Sequence, residues 1–208
     1  AHIGFLHANS PYEGNINDDV PVVTTEETEF GIAQFGHRKN GKRRDTYYHP
    51  PTTTSWAQAP TYPEETGWRD MLGFRVPIDD ASHITHTITF ARVPPEKREA
   101  FLARRKAEWE ELSKLQPAEE IADLVLAGKM RFKDIPWRGN GADMTRIQDR
   151  IALMGQGVIA DRTLENLGEA DVAIKLLRSI WTREMAAIRD GKPVKKWLNT
   201  MPPPTTGL

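Results

Sequence analysis

The sequence predicts an α+β domain in which an antiparallel sheet wraps a long helix close to the C-terminus. Three observations predict it. Strand-like stretches with period-two alternation fill much of the first half of the chain, most clearly in HITHTITF. An Asn-Gly step within Lys39 to Lys42 marks a hairpin, so the strands around it run antiparallel. The clearest helical periodicity lies far downstream, where Ala173, Leu176, Leu177, Ile180, Trp181 and Ile188 recur at three- and four-residue steps.

Taken in order, Pro11 to Pro21 is broken by Gly14, Asn15, Asn17, Asp18 and Asp19 and reads as a loop. Glu26 to Arg38 reads as a strand that turns at Lys39 to Lys42 into a partner running from Arg43 to Tyr48. His37 and His49 flank this hairpin and read as exposed or locally bonded histidines rather than ligands. Pro50 to Thr66 carries too many prolines for a central strand and reads as an extended loop, with Trp56 and Tyr62 capping the core or covering one edge of a pocket. Two further strands lie in GWRDMLGFRVPIDD and ASHITHTITFARV, around a turn at Asp79 and Asp80. In the second, alternation places Ile84, His86, Ile88 and Phe90 on one face and His83, Thr85, Thr87 and Thr89 on the other. The apolar row is expected to look inward. His83 and His86 fall on opposite faces and cannot easily share an ion.

From Pro94 to Leu126 the chain becomes highly charged. Phe101, Leu102, Arg105, Trp109 and Leu112 give a sparse stripe on a helix that stops before Pro117, and a second short helix follows. A helix of this kind packs lightly, as an insertion over the domain or as a contact to another subunit. Gly128 to Thr145 reads as loop. Ile147, Ile151 and Met154 then return to helical spacing until Gly155 and Gly157, and the long helix runs from Ala170 to Asp190, closed by Gly191 and Pro193. Asn199 to Leu208, with three consecutive prolines, reads as an extended tail.

The short segment at 147–154 carries Asp149, and the start of the chain, AHIGFLHANS, carries His2 and His7. Two imidazoles and a distant carboxylate are the donor set of a facial triad that binds Fe(II) and leaves positions open for oxygen. On an ideal helix His2 and His7 would stand roughly 140° apart, so a shared metal needs a widened turn, which Gly4 eases. The alternative is a terminal histidine in solvent and an ordinary acid beside Arg146 and Arg150.

Both stretches resemble a known family. HIGFLH followed far downstream by QDRIALMGQGVIADRTLENLGEAD is similar to the catalytic domain of the Rieske non-haem iron aromatic-ring-hydroxylating oxygenases, in the phthalate dioxygenase and vanillate O-demethylase branch. Nearly the whole chain is covered, most strongly at its two ends and in GWRDMLGFRVPIDD. The resemblance implies a helix-grip sheet wrapped around the long C-terminal helix, with a mononuclear iron site between helices. It implies His2, His7 and Asp149 as the catalytic iron ligands, and a substrate cavity floored by the sheet, with His86, Ile84, Ile88 and Phe90 lining it; His86 is otherwise a core histidine bonded to a backbone carbonyl. The implied reaction uses O2 and electrons from NAD(P)H, delivered by a reductase and a [2Fe–2S] Rieske cluster that serves a neighbouring subunit of a homotrimer. Ring dihydroxylation of a phthalate-like acid or an aryl ether and oxidative O-demethylation are both open outcomes. So is a non-catalytic helix-grip carrier of apolar ligands, or a subunit-contact domain built on Lys97 to Leu115. Arg150, Arg75 and Arg92 are equal candidates for binding a substrate carboxylate or for surface ion pairs.

The chain departs from the family in having no cysteine and opening on Ala1, immediately before the first implied ligand. It is therefore expected to be the C-terminal catalytic part (1–208, with 94–127 a helical insertion) of a longer enzyme whose Rieske domain is elsewhere, and to be inactive alone. Absence of cysteine excludes disulfides and thiolate metal sites. A formal charge of -1 removes a broad electrostatic case for nucleic acid or membrane binding. No apolar run approaches the roughly 18 residues of a membrane span and the opening lacks a signal-peptide pattern, so the expected setting is the cytoplasm.

Overall fold

A computed structural model of the chain describes residues 20–41, 43–50, 54–60, 68–136 and 141–200. The chain folds as two compact units. Among the described residues, one holds every strand together with the C-terminal helix; the other is helical and runs from Val93 to Glu165.

The sheet unit is a six-stranded antiparallel meander in simple sequence order: β1 (Val22–Glu27), β2 (Ile32–His37), β3 (Arg43–His49), β4 (Thr54–Pro60), β5 (Trp68–Pro77) and β6 (His83–Phe90). The Asn-Gly hairpin forms as expected: Gly41 takes φ 80° and its amide donates to the Arg38 carbonyl, pairing His37 with Arg43 and Ile32 with Tyr48. The predicted strand from Glu26 to Arg38 is instead the end of β1, a turn, and β2. Thr28 makes that turn: its hydroxyl oxygen accepts from the Phe30 and Gly31 amides, and its hydroxyl donates to the Gly31 carbonyl. Only glycine fits at Gly31, where φ is 141° and a Cβ would lie 2.0 Å from the Tyr48 carbonyl oxygen. The expected loop from Pro50 to Thr66 also needs correction, because β4 lies inside it, hydrogen-bonded between β3 and β5. Pro60 does not prevent this, since it closes the strand at the last register pair, where a missing donor costs least. At the β5–β6 turn Asp79 accepts from the Ala81 amide and the Ser82 hydroxyl, as turn acids do.

Helix α4 (Val172–Arg189) packs on β1 and β2 within this unit. On β1, Val23, Thr25 and Glu27 are half-buried while Val22, Thr24 and Glu26 are exposed, and Glu27 holds Arg183 of the helix through two bonds of 2.9 Å. The helix therefore covers the face of Glu27, which register extends to Ile32 on β2. Ile32, Ala173 and Ile180 are buried. The antiparallel sheet with a long C-terminal helix against it is an α+β arrangement compatible with the helix-grip expectation.

In the helical unit, α1 (Arg98–Ser113) has no buried residue and is laced by ion pairs such as Arg105–Glu108 at 2.9 Å, matching the lightly packed helix expected from its sequence. Helices α2 (Ala118–Leu126) and α3 (Gly141–Met154) pack together around Ala118, Ile121, Ala122 and Ile147. Helix α3 begins at Gly141, six residues before the start read from periodicity, since Met144 continues the stripe of Ile147 and Ile151 backwards by one turn.

Candidate functional site

Of the implied iron ligands, His2 and His7 lie outside the described residues. Asp149 projects from the exposed side of α3, two residues after Ile147, which is fully buried and fixes the helix against α2. The adjacent cation is committed elsewhere: Arg150 makes a two-pronged bond to Asp123 of α2, 3.0 and 3.2 Å long. Among the described residues no three side chains of metal-binding type converge on one point. The donor chemistry fits Fe(II) in kind, and Asp149 is the described member of the set.

The string that follows Asp149 turns out to be held by its own side chains. Asp161 caps a 3-10 turn at Arg162–Leu164, accepting from the Thr163 amide (2.9 Å) and hydroxyl (2.7 Å), and those bonds hold its carboxyl below the usual range. Arg162 pairs with Glu165 at 3.0 Å. Further on, within the sheet unit, the Gly168 amide donates to Asp171, at the entry to α4. The polar residues of D-R-T-x-E and G-x-x-D thus build two turns.

The histidines outside the triad behave as read from sequence. His37 Nε2 meets the Thr24 hydroxyl at 2.9 Å, and His49 Nδ1 meets the Phe30 carbonyl at 2.7 Å. The proposed pocket row does not. Ile84, Ile88 and Phe90 are 47%, 47% and 50% exposed, and His86 between them is exposed. Both rows of β6 are exposed, so burial on this strand does not choose between them. Register places Ile84, His86, Ile88 and Phe90 on the face that carries the buried Ala33, Asp45, Tyr47 and Asp70, opposite the face of Glu27 and Ile32 on which α4 packs at β1 and β2.

The same register sorts charge across the sheet. Arg44 and Asp45 are neighbours on β3, and Arg69 and Asp70 are neighbours on β5, so each pair splits to opposite faces. Both acids lie on the face of His86 and are buried there with partners: Arg43 pairs with Asp45 at 2.8 Å, and Arg92 with Asp70. Arg44, Arg69 and Arg75 lie on the face of Glu27 and Ile32, with Thr46, Tyr48 and Met71. Of the three arginines the sequence left equal, Arg150 and Arg92 are thus ion-paired, and Arg75 belongs to this group.

The helical unit has two hollows. One, about 120 Å³, is lined by Trp109, Leu112, Asp143 and Arg146, and the other, about 290 Å³, by Gln156, Asp161 and Leu164. The first falls well short of the roughly 300–1,000 Å³ of a small-molecule pocket, and the second only reaches its lower edge. No helix among the described residues is long and apolar enough to cross a membrane.

No family model matches the chain. Over 167 residues, 80% of its length, it is 29% identical to the protein described as the 5,5'-dehydrodivanillate O-demethylase oxygenase subunit of a Sphingobium species. The matched part is 34% of that protein, so the chain spans about a third of its relative's length.

Proposed function

We propose that this chain is the iron-binding part of a non-haem oxygenase that removes a methyl group from a methoxylated aromatic compound. The observation that carries the reading is the similarity, over 80% of the chain, to an O-demethylase oxygenase subunit. It favours oxidative demethylation over ring dihydroxylation, which the triad residues alone leave open. His2 and His7, as neutral imidazoles, and Asp149, as a carboxylate, would hold the metal. Iron bound there would supply the reductive activation of O2, two electrons and two protons converting the methoxyl group to a phenol, formaldehyde and water. The protein's own part is positional. Buried Ile147 fixes the helix that presents Asp149, and Asp123 holds the neighbouring Arg150 guanidinium, so that Arg150 is already paired. The electrons would come from NAD(P)H through a reductase and a [2Fe–2S] cluster, which this cysteine-free chain cannot ligate by thiolate, and the assembled enzyme would be a trimer.

The test is metal content after loading with Fe(II) without air. About one iron per chain is expected, lost on Asp149→Ala and on His7→Ala with the fold retained by circular dichroism. Full iron retention in Asp149→Ala would sink the assignment.

A further inference from the structure

Helix α1 is laid out against its own dipole. Its N-terminal part carries Arg98, Arg104, Arg105 and Lys106 against one acid, Glu99; its C-terminal part carries Glu108, Glu110 and Glu111 and no base before Lys114 at the cap. Bases near an N-terminus and acids near a C-terminus are the unfavourable arrangement for an isolated helix. The ion pairs follow the same order: Arg104 precedes Glu108 at 3.6 Å and Lys106 precedes Glu110 at 3.9 Å, where an acid placed first is the stronger arrangement. Exposed pairs of this kind add little. Burial does not offset the cost, because α1 has no buried residue and, among the described residues, packs closely only on the 3-10 turn at Pro95–Lys97 that leads into it. A helix of this length is marginal in water without a partner. One side of it is nonetheless apolar: Leu102 and Trp109 are exposed, Trp109 by 66%, and with Arg105 and half-buried Leu112 they recur at three- and four-residue steps.

We propose that α1 is a docking surface for a second copy of this chain, paired antiparallel about a two-fold axis level with Ala107. In that register the basic part of each helix runs along the acidic part of the other, so the layout that opposes each dipole becomes complementary between chains. Leu102 then stands level with the partner's Leu112, and Arg105 with the partner's Trp109, a pairing of guanidinium and indole. Parallel pairing would set like charge beside like. Because both chains use the same patch, the contact closes as a dimer. It is one helix long, about 24 Å, at the small end of specific interfaces, so association on the order of micromolar is expected. Tryptophan near its centre is the residue type that carries such contacts. Nothing in this pairing depends on iron or on the oxygenase reading.

The experiment is sedimentation equilibrium of the intact chain over a range of concentrations, at low and at high salt. A monomer–dimer equilibrium is expected, weakened about tenfold by high salt. Arg105→Glu with Lys106→Glu reverses the basic part of α1, and Glu110→Lys with Glu111→Lys reverses the acidic part. Each double variant alone should dimerise at least about tenfold more weakly, and an equimolar mixture of the two should restore the dimer. Restoration also shows that neither variant failed for want of folding. Trp109→Ala should weaken the dimer by about tenfold. Orientation is read from engineered disulfides, since the chain has no cysteine of its own. Leu102→Cys or Leu112→Cys alone should not cross-link, because the two-fold sets the copies of each about 15 Å apart along the helix. Mixing the two should give a covalent dimer. A chain that stays monomeric leaves α1 to some other partner and overturns the proposal. So would self-association that survives the charge reversals, a mixture of the reversed variants that stays apart, or self-cross-linking of Leu102→Cys, the mark of parallel pairing.

Discussion

Glu27 shows how one residue ties the sheet to its helix. It accepts two bonds from Arg183 and one from Lys195 at 2.7 Å, and the Arg183 bonds do most to bring its carboxyl down from 4.5 to about 2. The folded carboxyl therefore releases its proton more readily than the unfolded one. Its contribution is complete above about pH 4.5 and is lost as pH falls toward about 2. Since Arg183 is 48% exposed, solvent screening leaves only about 1 kcal/mol of the shift as stability. Glu27→Gln should lower stability by about that amount at pH 7 and flatten the acid limb between pH 4.5 and 2 in a urea titration against pH. An unchanged acid limb would show that the pair contributes nothing. At Gly31 the effect is steric: Gly31→Ala sets a Cβ against the Tyr48 carbonyl at positive φ and should cost about 2–4 kcal/mol by chemical denaturation. The proposed iron ligands were legible at this scale as residue types set in strings that resemble a known family.

At the scale of elements, helix α3 joins stability to the proposed site. Ile147 is fully buried among Ala118, Ile121 and Ala122, and Asp149 stands two residues further along the same helix. Ile147→Ala should cost about 2–4 kcal/mol in urea unfolding, by the cavity it leaves. Through that loosening it should also weaken iron binding without removing a ligand, and unchanged iron affinity would show that α3 does not position Asp149. Helix type and rough extent were readable wherever the apolar stripe was continuous, as in α4. Boundaries were less so: α3 starts six residues early, and Met144, separated from the rest by polar residues, belongs to its stripe. Strand β4 escaped because the prolines of Pro50 to Thr66 argue against a central strand, yet Pro60 closes the ladder rather than interrupting it. Strand β1 was merged with β2 because a four-residue turn held by the Thr28 hydroxyl and Gly31 is too short to break the apparent pattern.

For the whole molecule, a net charge of -1 and an isoelectric point near 6.7 predict minimum solubility close to that pH and no salt-sensitive affinity for nucleic acid. A precipitation scan across pH and a duplex-DNA titration at two salt concentrations check both; a steep salt-dependent DNA affinity would reveal a basic surface that the net charge conceals. What the sequence determined by itself was the class of fold, the antiparallel hairpin, the C-terminal helix and a donor set suited to iron. These follow from local chemistry, because alternation, turn residues and ligand types act over a few positions or are recognisable as strings. Which face of the sheet is covered was decided only by the tertiary structure. Alternation along β1 assigns Glu26 and Glu27 to opposite faces with perfect symmetry, and the symmetry is broken by α4, packed on Glu27 and Ile32 from more than 140 residues away in the chain. That packing choice leaves Glu26 exposed and Glu27 half-buried, while on β6, which α4 does not reach, both rows stay exposed.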